Sequence, residues 1–375
     1  MKSQLPWKLF PEMKIAVFGL AITSSWGNGH AVTWRSLLRG AHALGHEITF
    51  YERDQPWYAR HRDLTAPEYC RVRLQPDLRQ ALADVRREAK EADCVIVGSY
   101  VPDGPLILRE LLAGGSAQAV FYDIDTPITL AALEKNACEY MEAELIPGLD
   151  LYLSFTGGEI PAWIEKRWGA RMARTLYCCF EPELYFPPGK HDFPVKRFDL
   201  SYMGTHAADR EEKFQELLLR PARILREMDF IVAGALYAPY KGWPPWLQHT
   251  EHLAPEQHRE FYCQSRWTLN LTREAMTRAG YSPSVRLFEA AACATPIISD
   301  RFPGLETLFQ PDEEILIADT AGQIMRILTA YSPEECRRIG DAAAERVRER
   351  DCGKARAAEL MRYCEAARRP SSAAA

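Results

Sequence analysis

The residues best suited to chemistry in this chain sit where short apolar runs end. One such stretch, Thr23-Ser24-Ser25-Trp26-Gly27-Asn28-Gly29-His30, runs into a helical pattern. Glycines admit close backbone approach, and a helix start offers unpaired N–H groups and a positive dipole end. Asn28 and Gly29 are therefore candidates to meet an anion or a sugar hydroxyl; a plain turn capped by Asn28 is the alternative. His30 is a candidate catalytic residue, because histidine titrates near neutrality, or else a structural hydrogen-bonder at the helix start. The dinucleotide fingerprint GxGxxG is absent here.

Other strand ends add carboxylates and cations. Glu52 closes a second apolar run, where it reads as a ribose ligand or as a polar strand end. Asp123 and Asp125 lie two residues apart, which in an extended segment points both to one side. Asp125 joins His30 as a candidate catalytic residue, orienting sugar or acceptor hydroxyls, with capping of the next helix as the alternative. Gly204 and Thr205 form a strand-to-helix turn with Arg210 close behind, a set that suits a diphosphate or an ordinary loop. Glu289 stands in an apolar, small-residue helix pattern, where a carboxylate is costly without a partner. A ribose diol is one such partner. Arg286, three residues earlier, pairs with Glu289 or faces a phosphate. Ser282, Leu287 and Phe288 belong to the same candidate nucleotide-sugar stretch.

These positions need elements to hold them. Strand-like runs at 15–20, 47–52, 94–99, 119–124, 149–155 and 173–179 alternate with helical patterns at 30–44, 77–92 and 105–112. A proline-rich stretch, Glu181 to Gly189, breaks the rhythm. Strands then resume at 198–203, 230–235, 267–271, 296–299 and 315–318, with helices at 209–219, 285–294, 321–328, 333–350 and 354–368. Alternation of this kind predicts an α/β fold of two parallel-sheet, Rossmann-like domains facing a central cleft. The expected divisions are an extension at 1–12, an acceptor domain at 13–180, a linker at 181–194, a nucleotide-sugar domain at 195–350, a closing helix at 351–369 and a disordered tail at 370–375.

Composition narrows the class. Of 375 residues, 47% are hydrophobic, enough for two cores. A net charge of −5 argues against nucleic-acid or anionic-membrane binding by bulk charge. Ten scattered cysteines without CxxC spacing argue against zinc and predict reduced thiols in the cytoplasm. No run reaches the roughly 20 apolar residues that span a bilayer.

Taken together, several of these motifs resemble the CgeB-like family of glycosyltransferases, relatives of the retaining family 4. They are Phe18-Gly19-Leu20 with Ser24 to His30, Asp123 to Pro127, Tyr202 to Thr205, Arg286 to Cys293, and Pro303-Gly304-Leu305-Glu306. The resemblance implies a GT-B fold over nearly the whole chain, and a hexosyl transfer with retention. It assigns Glu289 to the nucleotide ribose. Two positions depart from the family: Tyr281 stands where it has a first glutamate, and Ala294 where it has a glycine.

The expected function is transfer of a sugar from a nucleoside diphosphate sugar to an acceptor, which is a small molecule, a glycan or a protein. Helix N-termini and arginines facing the leaving diphosphate would serve without a metal, and no cofactor is expected beyond the donor. No nucleic-acid partner and no integral membrane segment are expected. A sugar-nucleotide epimerase of the same fold, or a non-catalytic nucleotide-sugar-binding protein, is the alternative; the missing fingerprint disfavours a nicotinamide oxidoreductase. Trp57 and Tyr58, in the loop after the second strand, read as stacking platforms for an acceptor or as local core.

Overall fold

The apolar runs of the first half become strands buried on both faces, which is why they read as continuous rather than alternating. In the computed structural model, which describes residues 10–189, 192, 196–237 and 242–368, they form a seven-stranded sheet. Its members are β1 (Lys14–Gly19), β2 (Glu47–Arg53), β3 (Arg71–Gln75), β4 (Cys94–Gly98), β5 (Gln118–Asp123), β6 (Leu151–Ser154) and β7 (Ala173–Thr175). The order is β3-β2-β1-β4-β5-β6-β7, and every pair is parallel.

The second half forms a six-stranded parallel sheet ordered β10-β9-β8-β11-β12-β13. Here β8 is Phe198–Met203, β9 Phe230–Ala233, β10 Gln248–Thr250, β11 Ser265–Asn270, β12 Ile297–Ser299 and β13 Leu316–Ile317. Each sheet is covered by helices in the Rossmann-like manner, and each has its own apolar core. The expected α/β class with two such domains is what the chain adopts.

Three features depart from the sequence reading. The edge strand β3 carries Arg71 and Arg73 on a mostly exposed surface, so it lacks the apolar run that marks its neighbours. The helix expected over 209–219 runs on to Ile224, with a π-turn at Gln215–Leu219 that ends two positions before Pro221. Proline supplies no N–H and crowds the preceding turn, and a widened turn relieves this. Third, the chain separates into two units with crossings after Cys178 and after Cys352. The closing helix, Gly353–Ala367, belongs to the first unit and packs along the first helix, Gly29–Ala43.

The proposed tail at 370–375 and the first nine residues of the extension lie outside the described residues. So do 190, 191, 193 and 194 of the proposed linker, and 195, the first residue of the proposed nucleotide-sugar domain. The linker's start is ordered: Leu184 and Tyr185 donate backbone N–H bonds to the Glu181 carbonyl, at 3.0 and 2.8 Å.

Candidate functional site

In a doubly wound sheet the strand order reverses once, and loops at the carboxyl ends diverge there to leave a crevice. In the first unit the reversal falls between β1 and β4; in the second it falls between β8 and β11. The candidate residues gather at these two places.

At the first reversal, Glu52 anchors the loop after β1. Its Oε2 accepts from the N–H groups of Ile22 (2.7 Å) and Thr23 (3.0 Å), and its Oε1 from the Thr23 hydroxyl (2.6 Å). Fully buried and fully used, it is the strand-end structural residue and not a ribose ligand. Asn28 caps the first helix, its Oδ1 accepting from the His30 N–H at 3.1 Å. A Cβ placed on Gly29 would meet nothing within 4 Å, so the helix start is open.

His30 Nε2 lies 3.6 Å from Asp125 Oδ2. The ring stands edge-on to Tyr100 at 5.3 Å, and Nδ1 is buried without a hydrogen-bond partner. The two aspartates do not share a side as the alternation predicts. Strand β5 stops at Asp123, so the period-two rule does not reach Asp125. Asp123 is buried and accepts from the Thr129 hydroxyl (2.6 Å) and the Tyr152 hydroxyl (2.7 Å). Burial pushes its pKa up to about 6. Asp125 occupies the N-cap position of the helix Thr126–Glu134 without making a side-chain cap bond, and turns towards His30.

Tyr100 was not singled out from the sequence. It follows β4 with a left-handed φ of 61°, rare for a bulky residue. Burial, and after it the Asp125 carboxylate, raise the pKa of its hydroxyl. The signal that could have found it was its place just beyond a strand end at the reversal.

At the second reversal, Arg286 and Glu289 do not pair. The Arg286 Nε donates to the Met203 carbonyl, Nη1 donates to Asn270 Oδ1 at 2.9 Å, and the guanidinium lies 5.0 Å from the Tyr202 ring centre. Arg286 thus ties β8 to β11 and frames Gly204, where a Cβ would come 2.6 Å from Arg286 Nη2. Thr205 offers its carbonyl to Arg210 Nη2 at 2.5 Å, while the Arg210 Nε is buried without a partner. Lys213 is held by Asp300 (2.6 Å), the Thr272 carbonyl (3.0 Å) and Thr277 (2.7 Å).

Glu289 is 3% exposed in the helix Val285–Ala292. Its Oε2 accepts from the Tyr262 hydroxyl at 3.3 Å, with His258 Nδ1 at 4.0 Å; its Oε1 has no partner. The Tyr262 hydroxyl also lies 3.8 Å from Met203 Sδ, which links Glu289 to the strand that carries Gly204. Burial, and after it Glu289, raise the pKa of both Tyr185 and Tyr262. Tyr185, His258 and Tyr262 are scattered in sequence, and no spacing could have grouped them with Glu289. Three further candidates turn their side chains inward. The Ser282 hydroxyl donates to the Gly280 carbonyl at 2.9 Å, and the side chains of Leu287 and Phe288 are sealed in the core.

Among the described residues, no group of three or more His, Cys, Asp or Glu is placed to hold a metal ion. No described helix is long and apolar enough to cross a membrane.

With this geometry in hand, the relatives are informative. Residues 210–362, the segment carrying Arg210, Arg286 and Glu289, match the model of a glycosyl transferase-like family. The fold is that of GT-B glycosyltransferases. Sucrose-phosphate synthase from Thermosynechococcus elongatus superposes with a TM-score of 0.70 at 16% identity, covering 95% of this chain and 100% of that one. Anabaena HepE, solved with UDP and glucose, gives 0.67 at 13% identity over 95% and 100%. An alpha-glucosyltransferase solved with UDP and a DNA 13-mer gives 0.68 at 12% identity over 95% and 100%. No curated protein matches the chain.

Proposed function

We propose that this chain is a CgeB-like glycosyltransferase. It moves a hexose from a nucleoside diphosphate sugar held by the second unit to an acceptor held by the first, with retention and without a metal ion. The observation that carries the reading is the Glu289 carboxylate, one of whose oxygens is buried and unpartnered. Burying a carboxylate oxygen with no donor is costly, and a ligand hydroxyl removes that cost. A ribose hydroxyl fits, because Glu289 lies within the glycosyl transferase-like segment and the matching folds include proteins solved with UDP.

The unpartnered Arg210 Nε supplies the second half of the argument. The diphosphate gains charge as it leaves, and a guanidinium beside the Gly204–Thr205 turn would stabilise that charge where it forms. Asp125 and His30 then act on the acceptor and sugar hydroxyls. The ten free cysteines support a reducing compartment such as the cytoplasm.

The test is a thermal-shift screen against UDP, GDP, dTDP and ADP sugars, followed by product analysis with excess EDTA and NMR of the anomeric proton. A bound donor raises stability by mass action. The expected outcome is transfer that persists in EDTA and a product of retained configuration. Activity restored only by manganese, or an epimerised donor, would overturn the reading. Glu289→Ala should weaken nucleotide affinity by about 1–3 kcal/mol, or roughly 5–150-fold. If instead the melting temperature collapses while the folded fraction binds normally, Glu289 is a structural partner of Tyr262.

A further inference from the structure

The residues after β2 form a surface feature that the proposed chemistry leaves unused. Trp57 is the second residue of the short helical turn Pro56–Ala59 and is 56% exposed, among the most exposed large apolar residues described. Trp26, from the loop that carries Asn28 and His30, meets it at 4.9 Å with the rings inclined by 72°. His61 stacks flat on Trp26 at 4.6 Å and 12°. Both neighbours meet Trp57 steeply, so neither covers it as a parallel stack.

This exposure is built, not loose. The N–H groups of Asp63 and Leu64 donate to the Thr23 carbonyl at 3.0 and 3.1 Å, and the Ser24 hydroxyl donates to the His61 carbonyl at 2.8 Å. Arg35 clamps Asp63 at 2.5 Å while donating to the Ile22 carbonyl at 2.9 Å. The loop after β2 is thereby fixed to the loop after β1. An aromatic face held this firmly in water costs little further ordering when a flat ligand settles on it. The same segment carries charge: Arg62 pairs with Asp54 at 2.5 Å, and Arg60 is exposed.

We propose that Trp57, propped by Trp26 and His61, is the acceptor platform and that it takes a pyranose ring, so that the acceptor is a carbohydrate. A pyranose has an apolar C–H face and a rim of hydroxyls, which matches an open indole face in a segment that also carries charged hydrogen-bonding groups. A flat aromatic acceptor would call for an enclosed apolar slot. The inference rests on the glycosyltransferase reading for its consequence, because Trp26, which props the platform, shares its loop with His30.

The experiment is acceptor binding without donor. Maltotriose, cellotriose and chitotriose, with p-cresol as the aromatic probe, are titrated by saturation-transfer NMR and calorimetry; UDP is titrated separately on the same samples. At least one oligosaccharide should bind, and Trp57→Ala should weaken it by at least about 10-fold, with Trp57→Phe intermediate. Ile224→Ala, an equally exposed apolar residue of the other unit, should change nothing. No oligosaccharide binding by the wild type, binding that survives Trp57→Ala in a protein of unchanged melting temperature, or binding of p-cresol alone would each overturn the proposal. The UDP titration reports independently on the donor reading, so failure of one is not failure of the other.

Discussion

His30 and Glu289 show what a side chain's surroundings say about its use. Each has one polar atom engaged and one buried without a partner: Nε2 near Asp125 and Nδ1 alone, Oε2 on Tyr262 and Oε1 alone. A purely structural residue such as Glu52 leaves no oxygen unused. His30→Ala should lower kcat by about 10²–10⁴-fold, the range for a lost general acid or base. Nucleoside diphosphate affinity should stay as it is, because the proposed nucleotide residues belong to the other unit. Steady-state kinetics and a titration with the free diphosphate check both halves. A near-normal kcat would leave His30 as a residue of its helix start only. Residue types were legible for His30, Asp125, Gly204 and Glu289, the first three from the strand ends they follow and Glu289 from its apolar helix pattern. The partners were not, because Tyr100, Asn270 and Tyr262 reach their places through packing of distant segments.

Among the elements, the helix Val285–Ala292 repays a closer physical reading. It ends in the pattern of a Schellman turn: Thr295 N–H donates to the Ala290 carbonyl at 3.0 Å and Ala294 N–H to the Ala291 carbonyl at 2.9 Å. That turn needs a left-handed residue, and Ala294 supplies it at φ 52°. The glycine expected from the family resemblance is thus missing at a position whose geometry still calls for one. A left-handed alanine costs about 1 kcal/mol more than glycine. Ala294→Gly should therefore stabilise the second unit by about 1 kcal/mol and raise its transition by about 2–4 °C, as read by calorimetry. An unchanged or lowered transition would mean that neighbouring packing has already absorbed the strain. Element types were legible where burial is two-sided, as in β4 and β5. They failed where a strand lies at an edge, as in β3, or is as short as β10.

At the scale of the whole molecule, the closing helix Gly353–Ala367 decides how the first unit is completed. It approaches the first helix so closely that a Cβ on Gly40 would sit 2.1 Å from the Gly353 carbonyl oxygen, and one on Gly353 2.1 Å from that of Ser36. Backbone atoms cannot step aside as side chains do. Gly40→Ala should destabilise the first unit by about 1–3 kcal/mol in denaturant melts. Gly322→Ala, in an uncrowded helix start, should be neutral or slightly stabilising. Equal effects from the two would show that the helices can part without cost. The same docking has a consequence for biogenesis. The second unit is one unbroken stretch of sequence, whereas the first is cut in two by it. On a ribosome adding about 5–20 residues per second, the first unit stands unfinished for roughly 10–35 s while the second is made. During that time the backbone groove at Ser36 and Gly40 is open to water, and the Gln118 amide lacks the Cys364 carbonyl that will receive it. The nascent chain is therefore most exposed to chaperones and proteases at its oldest part, and its newest helix ends that exposure.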